Sequence, residues 1–143
     1  MSGFVKVKTQ DLSGSALDWA VAHATKAWEW AHEWYPTMTL DPSFIGVSDN
    51  APRGSVSLVP RNPMRQDSQP FRPSTDWAQG GRLVETHQIS LHCPQTTDDV
   101  WAAWIITDRG EVVQAGDTAL IAACRAIVAA RIGDEVDVPE GLV

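Results

Sequence analysis

Proline is concentrated in one stretch of this 143-residue chain and limits what that stretch can form. Seven of the nine prolines lie at positions 36, 42, 52, 60, 63, 70 and 73. Because proline lacks the N–H that helices and central strands use, this stretch excludes a long helix and leaves room only for short strands. Phe44–Val47 and Ser55–Val59 are the two candidate strands. A stretch of this kind inside a small domain is expected to serve a function rather than only to connect elements.

The segment before the prolines has the pattern of a strand followed by a helix. Phe4–Lys8 alternates and contains β-branched residues, which favours a short strand. Apolar residues then recur at helical spacing from about Ser15 to Glu33. Ser13, with Ser15 as a competitor, is the expected N-cap, and Pro36 prevents continuation. We therefore predict one helix in this region.

The segment after the prolines predicts three strands and a second helix. Leu83–Cys93 alternates and indicates a half-buried strand, with Cys93 as a small core residue. Residues 100–107 and 111–114 flank a turn that contains glycine and favour a hairpin. Residues 118–132 are apolar on nearly all sides, with Asp117 or Thr118 as the cap and Gly133 as the end, so this helix must pack on several sides. The acidic tail of residues 134–140 is expected to be exposed.

This order predicts a single α+β domain over residues 1–143, with a small, mainly antiparallel sheet packed against two helices. The proline-rich excursion, residues 36–73, lies within it. The 43% of hydrophobic residues are sufficient for a core, while no run is long enough to cross a membrane and no export signal precedes the first strand. Two cysteines in such a chain are expected to be free thiols.

Positive charge is confined to one part of an acidic protein. The formal net charge is −7, which argues against general, sequence-independent binding of nucleic acid. Between Arg53 and Arg82, however, five arginines and no lysine stand against two acids. Since guanidinium groups bind phosphate through two parallel hydrogen bonds, this segment suits a local anion site. The alternative is a solvated loop whose arginines pair with acids elsewhere.

The motif Pro73–Gly81 combines an aromatic ring, hydroxyls, a carboxylate, an amide and two glycines. Tryptophan can stack on a base, aspartate can bind a ribose or a base edge, and glycine N–H groups can line an anion cradle. The candidate ligand-binding residues are Arg72, Ser74, Thr75, Asp76, Trp77, Gln79, Gly80, Gly81, Arg82, Arg65 and Arg125. The alternative is an ordered turn in which the same residues cap the backbone and fill the core.

No motif for catalysis, a metal or a cofactor accompanies these residues. The four histidines and two cysteines lack the paired spacing of metal ligands, and phosphate-binding and nucleophile-elbow motifs are not found. We therefore predict a protein that is not an enzyme and that uses no metal or cofactor.

Several blocks resemble the phage NinX-like family. These blocks are Val5–Thr9, Leu12–Ala22, Pro73–Gly81, Ala119–Arg125 and Gly133–Pro139. The resemblance implies a small accessory protein of tailed phages and prophages, located in the cytoplasm of the bacterial host, and it brings no catalytic residues. Arg72 and Arg82 flank the motif where relatives are expected to have a small or aromatic residue and a proline.

Together these features predict non-catalytic binding of an anionic, nucleotide-type ligand, such as a cyclic oligonucleotide or an ADP-ribose derivative that signals in antiphage defence. Two alternatives stay open: an inhibitor or adaptor that binds a host protein through exposed tryptophans of the Trp28–Trp34 stretch, and a hydrolase of the same ligand class. The small size and the tryptophan-rich helix favour a homodimer or higher oligomer.

Overall fold

The computed structural model describes residues 4–36, 38–40, 57–60 and 69–143. In these ranges the chain forms β1 (Phe4–Lys8), α1 (Gly14–Thr25), α2 (Ala27–Trp34), β2 (Met38–Leu40), β3 (Ser57–Pro60), β4 (Gln69–Pro70), α3 (Trp77–Thr86), β5 (Ser90–His92), β6 (Trp101–Thr107), β7 (Gly110–Gly116), α4 (Ala119–Arg131) and β8 (Glu135–Pro139). The α+β class is confirmed. The ranges described hold four helices rather than the two expected, and three antiparallel sheets rather than one.

Helix α4 is the centre of the core. It contacts α1, α3, β6 and β7, and its buried residues include Cys124 and Val128. The Thr118 hydroxyl accepts the Ile121 N–H at 3.1 Å, and the helix ends just before Gly133, which has a φ of +132°. This agrees with the prediction for residues 118–132, because an all-apolar helix with a cap and a terminal glycine leaves few alternatives.

The sheet β5-β6-β7 covers one side of α4. Strands β6 and β7 form the predicted hairpin, with Trp104 opposite Val113. Ala103 and Ile105 pack toward the core, whereas Ile106 is 80% exposed. The sheet therefore has one buried face and one face open to solvent.

Strands β1 and β8 form a separate antiparallel pair. The predicted strand at residues 4–8 is confirmed, and the expectation of an exposed acidic tail is correct for its acids but wrong for its valines. Val136 and Val138 are buried and alternate with exposed acids in β8. The two buried β-branched residues on one face favour pairing of this segment with β1, although its other face is charged.

The N-terminal helix is interrupted, so the prediction of one helix over residues 15–33 is wrong in part. Lys26 adopts a left-handed conformation with a φ of 53° and ends α1. The Trp30 indole N–H donates to the Thr25 carbonyl at 3.0 Å, which satisfies an acceptor at this end of α1. Helix α2 begins at Ala27.

The predicted strand at residues 83–93 is also wrong, except for Ser90–His92. Its first part belongs to α3, in which Gln79, Gly80 and Leu83 form the buried side. Burial of Leu83 fits a helix as well as it fits a strand, so the alternating pattern was misleading. Cys93 is exposed rather than a core residue.

The short sheet β2-β3-β4 lies in the proline-rich region. The candidate strand at residues 55–59 overlaps β3, which agrees with the prediction where the structure describes it. The candidate at residues 44–47 lies outside the described residues.

Candidate functional site

The start of the Pro73–Gly81 motif is held by a buried carboxylate on α1. The Ser74 backbone N–H donates to Asp18 Oδ1 at 2.9 Å, and the side chains of Asp18 and Ser74 are 5% and 2% exposed. Burial raises the pKa of Asp18 to about 6, although the Ser74 N–H and the Arg72 charge act to lower it. The motif is therefore anchored to the core at its first residues.

Gln79 closes the turn that leads into α3. Its side chain is fully buried, its Oε1 accepts the Arg72 N–H at 2.7 Å, and its Nε2 donates to the Pro70 carbonyl at 3.0 Å. Both ends of the amide are thus used within the protein. Gln79 fixes the backbone of Arg72 and is not accessible to a ligand.

Asp76 is the N-cap of α3. Its Oδ1 accepts the Ala78 N–H at 2.8 Å, and its carbonyl accepts the N–H groups of Gln79 and Gly80 at 3.1 and 2.7 Å. The Gly80 N–H is therefore not available to the anion cradle that the sequence suggested.

Gly80 has a packing role instead. A Cβ atom at Gly80 would lie 2.7 Å from Leu120 Cδ2 and closer still to the Pro73 carbonyl. Glycine at this position lets α3 approach α4. A Cβ atom at Gly81, by contrast, would meet only the Trp77 ring at 3.4 Å, which is ordinary contact.

The outer surface of the motif carries the groups that remain free to bind. Trp77 begins α3 with 58% of its side chain exposed, and Thr75 and Arg72 are also exposed. Arg82 is exposed as well, and its guanidinium lies 5.3 Å above the centre of the Trp34 ring. We call these exposed residues, Arg72, Thr75, Trp77 and Arg82, the Trp77 surface; Trp77 and Arg82 are five positions apart on α3 and so about 140° apart around the helix. It combines a free indole with two cations.

The remaining predicted site residues lie elsewhere. Arg125 donates from Nε to the Leu12 carbonyl and from Nη1 to the Ala115 carbonyl, both at 2.8 Å. Burial lowers the pKa of Arg125, while the charges of Asp117 and Asp11 act to raise it. Arg125 therefore ties the segment before α1 to β7 rather than joining the Trp77 surface. Arg65 lies outside the described residues.

The tryptophans of α2 whose side chains are described are only partly exposed. Trp30 and Trp34 are in ring contact with centroids 4.4 Å apart, and Trp30 also lies 6.1 Å from the buried Phe71. They pack against the core. Trp77 is the mostly exposed tryptophan among the side chains described, so the best aromatic anchor is on α3 and not on α2.

Other candidate chemistry is limited in the described ranges. No group of three His, Cys, Asp or Glu residues there could hold a metal ion. Burial and the Asp18 charge raise the pKa of the Cys124 thiol well above its ordinary value, so this cysteine is a poor nucleophile. None of the helices described is long and apolar enough to cross a membrane.

Sequence reasoning missed Asp18, which positions the motif. A signal was present, since Asp18 is a single carboxylate between the apolar residues Leu17 and Trp19 of a helix. A charge in such a place is buried only with a partner. The partner, a backbone N–H 56 residues away, could not be inferred from the pattern of either segment.

Similarity to known proteins was found at the level of a protein family. Among the curated proteins compared with this chain, none matches it. The family model described as "Bacteriophage P22, NinX" matches residues 8–131, a range that holds α1, the Pro73–Gly81 motif and α4. The resemblance found in the sequence is confirmed, and the chain belongs to this phage NinX family.

Proposed function

We propose that this NinX-family protein binds a small anionic ligand of nucleotide type without transforming it, and so withholds that ligand from the host cell. Cyclic oligonucleotides and ADP-ribose derivatives that signal in antiphage defence have the required chemistry. The observation that carries the proposal is Trp77, which is 58% exposed on a motif held in place by hydrogen bonds to the buried side chains of Asp18 and Gln79.

A large exposed ring on a rigid support is suited to stacking. The Asp18 contact to Ser74 and the Asp76 cap fix the backbone on which Trp77 stands. Ordering a mobile side chain or loop weakens binding, so a ring on a fixed backbone loses less on association. Stacking of a base on an aromatic side chain contributes about 1–3 kcal/mol.

In this proposal Arg72 and Arg82 supply the positive charge for the ligand's phosphates. Arg72 is exposed next to the motif, and Arg82 is presented from the second turn of α3 with its guanidinium on Trp34. A guanidinium held against a ring is already oriented and needs little reorganisation. Thr75 adds a hydroxyl at the same surface. Ser74, Asp76, Gln79 and Gly80 act in this proposal as the support of the site.

A thermal-shift screen against cyclic dinucleotides, cyclic trinucleotides, ADP-ribose derivatives and simple nucleotides tests the proposal. A ligand at 100 times its Kd adds about 2.7 kcal/mol of stability, which corresponds to a shift of several degrees. Arg72→Ala should weaken binding by roughly ten- to a hundredfold, because a charge-assisted phosphate contact contributes about 1.5–3 kcal/mol. The matched control is Lys8→Ala, which removes an exposed cation at the end of β1 that belongs to neither surface. Equal loss in both variants would mean that only the overall charge matters.

The second candidate function is an inhibitor or adaptor that binds a host protein. It is favoured by the open face of the β5-β6-β7 sheet, where Ile106 is 80% and Val113 is 52% exposed. In that case no member of the ligand panel shifts the melting temperature, and Ile106→Ser weakens capture of the host protein while Arg72→Ala does not.

A further inference from the structure

A second concave surface lies away from the Trp77 surface. It is a cleft of about 660 Å³ between the end of α3, the β6–β7 turn and the end of α4. Its lining is mostly polar and includes His87, Arg109 and Arg131, while the half-buried Ile105 and the exposed Ile132 supply its accessible apolar part. Small-molecule sites combine such polar groups with apolar surface.

The two arginines are the cations of the cleft, and Arg131 lies in the last turn of α4, where the helix dipole favours a positive charge. Both are exposed, and neither guanidinium makes a hydrogen bond or ion pair with another residue in the described ranges. Arg125 and Arg82, by contrast, have defined contacts with carbonyls and with a ring. Asp108 also lines the cleft, so its charged side chains sum to one net positive charge in a protein of net charge −7.

His87 is the titratable ring in the lining of this cleft. It is the C-cap residue of α3 and is half-buried at the cleft. Burial lowers the pKa of His87, and the nearby Arg131 charge lowers it further, so the ring is neutral at neutral pH. A neutral imidazole can donate one hydrogen bond and accept another. An anion placed beside Arg131 would offset the charge that His87 experiences.

We propose that this cleft binds a small amphipathic anion, with a phosphate or carboxylate held by Arg131 and Arg109 and an apolar, ring-sized body against Ile105 and Ile132. The site is separate from the Trp77 surface, because the ten residues of α3 place Trp77 and His87 about 15 Å apart along the helix axis. The inference therefore does not depend on the function proposed above.

NMR titration of the His87 ring tests this site, with phenyl phosphate as the probe and the His87→Gln variant used to assign the signal. We expect a saturable change of the His87 signals and a rise in the pKa of His87 on binding. Inorganic phosphate, which lacks the apolar body, should bind at least tenfold more weakly. Benzyl alcohol, which lacks the charge, should leave the pKa of His87 unchanged.

Matched arginine variants locate the binding. Arg131→Gln and Arg109→Gln should each weaken phenyl phosphate binding by about tenfold or more, whereas Arg72→Gln at the Trp77 surface should not change it. If Arg131→Gln lowers stability, Arg109→Gln in the exposed turn still tests whether an arginine of the cleft contributes to binding. The proposal is overturned if His87 shows no saturable change, if phosphate alone binds as tightly, or if Arg72→Gln weakens binding and the cleft variants do not.

Discussion

Asp18 is a carboxylate with only 5% of its side chain exposed, and its environment makes the charged form costly. Its pKa of about 6 lies above its ordinary value of 3.8 because burial outweighs the hydrogen bond from the Ser74 N–H and the Arg72 charge. The residue nevertheless holds the Ser74 N–H at 2.9 Å and so fixes the motif. An acceptor oxygen is needed at this position, but a negative charge is not.

Replacing Asp18 by asparagine is therefore expected to stabilise the protein above about pH 6. Between about pH 4 and 6 the folded state binds more protons at Asp18 than the unfolded state, so the stability that this group contributes is complete at the lower pH and is lost as the pH rises. A shift of this size corresponds to about 3 kcal/mol as an upper bound. Urea unfolding of Asp18→Asn should show the gain at about pH 7.5 and none at about pH 4.

The exposed Asp108→Asn is the control for that experiment and should change stability little at either pH. Asp18→Ala, which removes the acceptor as well, should lower the free energy of unfolding at both pH values. A gain for Asp18→Asn that did not vary with pH would contradict burial of the charge as the cause.

At the scale of elements, the contact between α3 and α4 determines how the motif is presented. Gly80 lies where the two helices approach, and its neighbours are the Leu120 side chain and the Pro73 carbonyl. Gly81, one residue further, is next to the Trp77 ring with ordinary spacing. Two adjacent glycines thus have different tasks in one helix.

Alanine substitutions at these two positions should act in opposite directions. Gly80→Ala forces the helices apart or strains the turn and is expected to lower the free energy of unfolding by about 1–3 kcal/mol. Gly81→Ala should raise it by up to about 1 kcal/mol, because alanine has the higher helix propensity. Thermal unfolding of both variants checks this. Similar effects of the two changes would contradict the close approach at Gly80.

Elements with redundant local signals were predictable from the sequence, and others were not. Helix α4 has an apolar run, the Thr118 cap and a terminal glycine, and the hairpin β6–β7 has a turn with glycine. Helix α3 is shorter, and its buried glutamine and glycine gave no apolar period. The break at Lys26 has no proline or glycine to mark it, since the residue in the left-handed conformation is a lysine.

For the candidate site, the sequence identified the motif but not which of its side chains are buried and which are exposed. Burial distinguishes Gln79, which is fully buried, from Trp77, which is mostly exposed, although the two residues are neighbours in the motif. Composition treats both as polar or aromatic groups that could bind a ligand. The direction in which each side chain points depends on α3, which begins directly after the Asp76 cap. The sequence analysis did not predict this helix, because it assigned the residues from Leu83 onward to a strand.

At the scale of the whole molecule, Arg125 connects parts of the chain that are distant in sequence. Its guanidinium binds carbonyls of Leu12, 113 residues away, and of Ala115. Arg125→Leu leaves both acceptors without this partner and should lower the free energy of unfolding by about 1–3 kcal/mol. Arg109→Leu is the matched control and should have a small effect in urea unfolding. Equal effects would contradict the structural role of Arg125.

The central claim of this account is that the Trp77 surface binds a nucleotide-type anion without chemistry. Equilibrium dialysis of the ligand panel against the protein and its Trp77→Ala variant, followed by denaturation and chromatography of the released ligand, tests it most directly. We predict that the protein retains one ligand class, that the folded Trp77→Ala variant retains at least tenfold less, and that the released ligand is unchanged. No retention by the protein, equal retention by the variant, or recovery of a cleaved ligand would contradict the claim.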